Sequence, residues 1–255
     1  MLGCDVEQFL FKNNVILPAE KTLPGHKYEP FHLGGNCSGH PDNIMAEIAL
    51  VDPVAVENFS EQVSAAVDIL KAYVGKDIDV MPIPTVMVPK DILSTSTCAN
   101  EIGCDPDMDA DGNEYRYNAK QLGTYRFAGF HIHFDVNPMI DNFHAAQICD
   151  CTIGIASIAN GWDSNQGERR KFYGTPGRHR PKHYGIEYRM LSPAMLNHLD
   201  GLQEILNIVA PQLEAGDGPC IPLPYMYSEA VAQAIREEDV SMARALWDTI
   251  RAQIS

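Results

Sequence analysis

The sequence predicts an α+β fold, a mixed or antiparallel sheet with helices packed on one side. Three observations predict it. Several short segments alternate polar and apolar residues with the two-residue period of a strand. Others carry apolar residues at helical spacing. Irregular polar stretches separate the two kinds, as expected when strands and helices form separate layers. No repeat, low-complexity tract or long Pro/Gly/Ser linker divides the 255 residues, so one domain over 1–255 is expected.

Taken in order, residues 2–11 read as a strand, and "NIMAEIAL", 43–50, as a strand or short helix. "VAVENFSEQVSAAVDILKAYV", 54–74, puts Val56, Phe59, Val63, Val67, Leu70 and Val74 at helical spacing. "IDVMPIPTVMV", 78–88, reads as extended, its prolines suiting an edge. Residues 95–123 are polar and loop-like, and 124–136 are a strand. "MIDNFHAAQICDCTIGIASIAN", 139–160, reads as a buried helix, followed by an Arg/Gly/Pro loop over 161–181 and a strand over 182–191. Two C-terminal helices are expected near 193–214 and 228–253, with a turn at "GDGPC", 216–220. Loops 26–42, 95–120 and 161–180 are the places expected to select substrates, since long loops in a compact domain are commonly functional.

The formal net charge of −15 argues against broad nucleic-acid binding. One dense basic segment, "RRKFYGTPGRHRPKHYGIEYR", 169–189, stands out against it and suggests a local anion site. No apolar run is long enough to span a bilayer, so no membrane partner is expected. "MLGCDVEQFLF" lacks the basic start of a signal peptide, and the seven cysteines form no even framework. Reduced thiols in a cytoplasm are the expectation, and without a CxxC pair a structural zinc is not.

The chemistry lies in three strands. In "FAGFHIHFDV", 127–136, Phe130, Ile132 and Phe134 point one way and His131, His133 and Asp135 the other. "GCDVEQFLF" sets Asp5 and Glu7 opposite Cys4, Val6 and Gln8. "YGIEYRMLS" sets Glu187 and Arg189 opposite Ile186 and Tyr188. If the strands share a sheet, one face collects carboxylates and imidazoles, which repel unless a cation neutralises them. Oxygen ligands with an imidazole suit Mg2+ or Mn2+, and an Arg fork two residues from the acid suits a phosphate oxygen. The residues alone therefore point to a metal–phosphate site on a sheet.

These motifs resemble the carboxylate–amine ligase superfamily of glutamine synthetase and glutamate–cysteine ligase. "DVEQFLF", "GFHIHFD" and "GIEYRML" are similar to its acidic strand, its His-x-His strand and its Glu-x-Arg strand, in the family's order. The chain looks closest to the phage phiEco32-like COOH–NH2 ligase type 2 family, with "GCDPD" (103–107), "HIH" and "YGTPG…R…GIEYR" (173–189) together. The resemblance covers residues 2 to about 195. It implies a glutamine synthetase-like catalytic fold, a curved, mostly antiparallel sheet with helices on its convex side. It implies metal positions at Glu7, Glu47, His131 and Glu187, with Asp5 in place of the usual first glutamate and Asp42 competing with Glu47. It further implies phosphate and nucleotide contacts from Arg189, Arg178, Arg170 and His133, with Arg189, Arg178 and Glu187 as the catalytic set. The implied activity joins a small-molecule or peptide carboxylate to an amine with ATP and Mg2+ or Mn2+, by a monomer or small homo-oligomer in the host cytoplasm.

Two other readings stand beside it. A guanidino kinase would share a related sheet. "DMDADG", 107–112, matches the start of a calcium loop, although its twelfth position is Asn118 rather than Glu. Cys98 and Cys104 offer thiols without an identifiable base.

Overall fold

The computed structural model describes the chain except residues 97, 100–105, 110, 117–118, 165, 216–226 and 255. It opens with β1 (Leu2–Lys12), β2 (Val15–Leu17), β3 (Gly25–His26), β4 (Glu29–Gly34), β5 (Cys37–Asp42) and β6 (Met45–Leu50). Then come α1 (Phe59–Val74), β7 (Asp79–Met81), β8 (Thr85–Met87), α2 (Lys90–Thr95), β9 (Asp107–Met108), β10 (Glu114–Tyr115) and α3 (Ala119–Leu122). They are followed by β11 (Tyr125–Phe127), β12 (Phe130–Asp135), α4 (Asn142–Cys149), α5 (Ile155–Ala159) and α6 (Arg169–Phe172). The chain ends with β13 (His179–Lys182), β14 (Gly185–Tyr188), α7 (Leu199–Ala215), α8 (Glu229–Glu237) and α9 (Val240–Ile254). The main sheet runs β10-β9-β13-β14-β12-β1-β6-β5-β4-β3, with β2 and β7 on the far half of β1. All of its described pairings are antiparallel. The architecture is α+β, as the alternating and helical segments predict.

Alternation divides the sheet into two faces. Leu2, Cys4, Val6, Ala46, Ile48, Phe130, Ile132, Phe134, Ile186 and Tyr188 join one apolar core with the helices. From α1 the core takes Phe59, Val63, Ala66, Val67 and Leu70, one stripe of a helix that Gly75 ends at φ 87°. Asp141 caps α4 by accepting from the His144 N–H at 2.9 Å. α4 and α5 are joined through a π-helical turn, Asp150–Gly154, into the one buried helix expected over 139–160.

Several elements depart from expectation. Residues 26–42 are largely sheet rather than loop, because β5 pairs with β6 and β4 with β5 despite a Gly/Pro/His-rich sequence. The loop over 161–181 contains α6 and most of β13, and 95–123 contains β9 and β10. The helix expected over 228–253 breaks at Glu238, a left-handed residue at φ 54°. Its carboxylate accepts from the Gln166 N–H at 2.9 Å and meets Arg170 Nε at 3.2 Å. The turn expected at 216–220 lies outside the described residues.

Asp150 is fully buried in the π-helical turn and accepts from the Tyr188 hydroxyl at 2.6 Å. Burial pushes its carboxyl up to about 7, against the opposing hydrogen bonds of Tyr188, Gly177 and Tyr227. Its contribution to stability is full below the unfolded carboxylate value, roughly 4, and is lost as pH rises toward about 7. Asp150→Asn is expected to flatten that fall. Urea melts in mildly acidic and mildly alkaline buffer should differ less for the variant than for the wild type. Equal differences would show that the folded chain does not retain this proton.

Candidate active site

The face opposite the helices carries the chemistry. Antiparallel register sets Asp5 beside His131, Glu7 beside Glu47, His40 beside Glu47, His133 beside Glu187, and Arg180 beside Glu187. Six strands thus bring together residues from across the chain. Gly129 lets the chain pass close to the His131 ring, where a Cβ would collide, and its N–H donates to Glu7 Oε2 at 2.6 Å.

The face is divided by charge. On one side Glu7, Asp42 and Glu47 place carboxylate oxygens within 4.8 Å of one another. Burial and then Asp42 push Glu7 up to about 8. Burial, with Asp42, Asp5 and Glu7, drives Glu47 well above its usual range. His40 Nε2 stands 3.8 Å from Glu47 Oε2. On the other side Arg178, just before β13, and Arg180 and Lys182 within it line the cavity together with Arg189. Arg180 donates to both oxygens of Glu187 at 3.0 and 3.1 Å, Lys182 lies at 2.7 Å, and Arg189 pairs with the same carboxylate. Burial alone would raise Glu187, but Arg189 foremost, then His131 and Arg180, hold it well below the usual carboxylate range. The halves face one cavity of about 420 Å³, with Met45, Phe127 and Phe172 adding an apolar wall.

The expected residues fall into distinct places. Asp5, Glu7, Glu47, His131, Glu187, Arg178 and Arg189 all line this cavity. His131 stands 3.7 Å from Glu187 Oε1, as expected of two residues of one site, whereas His133 is not in the cavity lining. His131 faces Tyr173, 2.7 Å from its hydroxyl, and Arg189 at 3.3 Å, and burial followed by Arg189 holds the imidazole well below its usual pKa. His133 instead meets Asp5 at 3.0 Å, and with Asp5 and Glu187 it forms a second set of close potential ligands. Arg170 is not in the cavity lining. It is buried, bound to Asp163 at 2.8 Å and to Glu238, and its role is to hold the chain. Asp135 lies at the sheet's end, 3.3 Å from the N-terminal amine.

Sequence reasoning passed over His40 and Tyr173 as site residues, and named Arg180 and Lys182 only within the basic segment and Asp107 only as the start of a calcium loop. Arg178, Arg180 and Lys182 did carry a signal, a two-residue alternation inside a segment that reads as loop. Asp107 carried the opposite signal. As the first position of a calcium loop it should face a cation site within its own turn. Its carboxylate instead meets Arg178 at 3.2 Å, Arg180 at 3.3 Å and Arg189 at 3.0 Å. Asp109 accepts from the Asp111 and Asn113 N–H groups, which makes this a side-chain-stabilised turn. Cys4, Cys37, Cys149 and Cys151 are free thiols, while Cys104 and Asn118 lie outside the described residues.

The donor chemistry fits a hard divalent cation best at Glu7, Asp42 and Glu47, where buried carboxylates crowd one another. At Asp5, His133 and Glu187 the fit requires Glu187 to give up part of its hold on Arg180, Lys182 and Arg189. No family model, no curated protein and no solved structure matches the chain. Among the described residues no helix is long and apolar enough to cross a membrane.

Glu187→Gln keeps the shape of the side chain and removes the charge that balances three cations. Removing one partner of a buried ion network typically costs about 3–5 kcal/mol. The variant should unfold at lower denaturant than the wild type, and added sulfate should restore more stability to it than to the wild type. An equal sulfate effect on both proteins would show that Glu187 does not balance this cluster.

Proposed function

We propose that this protein is an ATP-dependent carboxylate–amine ligase with a glutamine synthetase-like sheet, using Mg2+ or Mn2+. The observation that carries the reading is the divided cavity, with Glu7, Asp42 and Glu47 across from Arg178, Arg180 and Arg189. Phosphoryl transfer needs such a division, because polyphosphate charge must be neutralised by both metal and fixed cations. The motif order Asp-x-Glu, His-x-His, Glu-x-Arg supports the same reading.

In this mechanism a substrate carboxylate oxygen attacks the γ-phosphorus of ATP, the bond to the bridging oxygen breaks, and ADP leaves. An amine nitrogen then attacks the acyl phosphate carbon, inorganic phosphate departs, and the nitrogen loses its proton. The protein's work is positioning and charge balance. Arg189 and Arg178 neutralise the transferred group, and the Tyr173 hydroxyl orients Arg189 by accepting from it at 2.6 Å. His131, neutral and buried, supports the same hydroxyl from the other side. Asp5 holds His133 beside the cavity. Glu7, Asp42 and Glu47 would hold the cation, which supplies Lewis-acid neutralisation of the phosphates. The substrates are a small-molecule or peptide carboxylate and an amine.

Thermal stability with Mg2+ and ATP, against Mg2+ alone, Ca2+ alone and Arg189→Ala, tests the reading without knowledge of the substrates. Nucleotide at roughly 100 times its Kd should add about 2.7 kcal/mol. The shift should need both Mg2+ and ATP and vanish in the variant. A shift with Ca2+ alone, or none, would overturn the assignment. Dependence of ADP release on an amine separates a ligase from a guanidino kinase.

A further inference from the structure

The arginines that face the cavity already hold an anion, and it belongs to the protein. Asp107 is 6 % exposed, and its two oxygens meet Arg178 at 3.2 Å, Arg180 at 3.3 Å and Arg189 at 3.0 Å. A carboxylate offers guanidinium groups two anionic oxygens, as one edge of a phosphate does. The segment bearing it is held in part by its own turn. Asp109 accepts from the Asp111 and Asn113 N–H groups, each at 2.9 Å, and from the Tyr115 hydroxyl at 3.0 Å. Among the described residues the segment also meets its surroundings through the pairing of Met108 with His179, the Tyr115 ring 4.3 Å from the Arg178 guanidinium carbon, Gly112 close to the Phe143 ring, and Asp107 itself.

We infer that Arg178, Arg180 and Arg189 form a polyphosphate subsite whose resident occupant is Asp107, displaced when a phosphate-bearing ligand binds. The inference rests on the ligase reading only in naming that ligand a nucleotide. A phosphate carries more charge and more acceptor oxygens than one carboxylate, and the released carboxylate regains water. An internal occupant lowers apparent affinity by the fraction of time the subsite is open.

The probe is inorganic tripolyphosphate, with neither metal nor nucleotide present. In the wild-type protein its binding should speed backbone amide exchange across β9 and β10 by about tenfold, as Asp107 lets go. Asp107→Asn should bind tripolyphosphate at least about fivefold more tightly by calorimetry, and its β9–β10 exchange should already be fast and insensitive to the probe. Slower or unchanged exchange in the wild type overturns the inference, even if the variant binds more tightly, because removing a nearby negative charge strengthens anion binding without any displacement. Weaker or equal binding by a folded variant also overturns it and makes Asp107 a positioning residue for the arginines. The wild-type exchange experiment stands if the variant does not fold. A protein that passes both tests and shows no Mg2+–ATP shift has the subsite without the ligase chemistry. One with the shift and no release keeps the ligase reading and loses this one.

Discussion

The two-residue period of β1, β12 and β14, pressed against an apolar helix layer, is the constraint on which the rest of the molecule depends. Phe130, Ile132 and Phe134 are fully buried on the helix side, as are Ile186 and Tyr188. Once those residues are committed to the core, His131, His133 and Glu187 have only the other face to occupy. Antiparallel register then fixes which of them are neighbours. A slip of one residue on β12 would drive both histidines into the helices and move Phe130 and Phe134 to the cavity. The site is thus positioned by the core's packing, and the stability of the core is what holds its geometry.

That arrangement carries an electrostatic burden, and the protein handles it differently in the two halves. Around Glu187 the compensation is internal, since Arg180, Lys182 and Arg189 surround the carboxylate and keep it ionised. Around Glu7 and Glu47 burial and neighbouring acids dominate, so both carboxyls hold protons more tightly than usual. One half is satisfied by its own side chains. The other is the half whose chemistry a cation would complete.

Buried arginine performs two separate tasks in this fold. Arg169 donates to the carbonyls of Ala128, Met190 and Leu191, fastening the chain before β12 to the chain after β14. Gly174, at φ 66°, leaves room for that guanidinium, which a Cβ would strike. Arg170 binds Asp163 and the left-handed Glu238, joining the loop to the C-terminal helices. Arg178 and Arg189 reach the cavity instead. All four come from one basic segment, and the neighbours decide which become scaffold and which become site.

The faces of the three principal strands were legible because alternation is local, visible within the six residues of "FHIHFD" or the four of "GIEY". The α1 stripe was legible for the same reason at the helical period. β4 and β5 were not, since their residues lack alternation and become strands only by pairing, β5 with β6 and β4 with β5. The alternating Arg178, Arg180 and Lys182 were hidden among glycine and proline. The sequence by itself therefore determined which residues share a face. Tertiary structure alone decided that His133 completes a close set of potential ligands with Asp5 and Glu187, that Arg170 is scaffold, and that Asp107 meets arginines more than 70 residues away. The physical reason is that alternation is a property of neighbours in the chain, whereas charge pairing depends on register between strands that the chain brings together only when it folds.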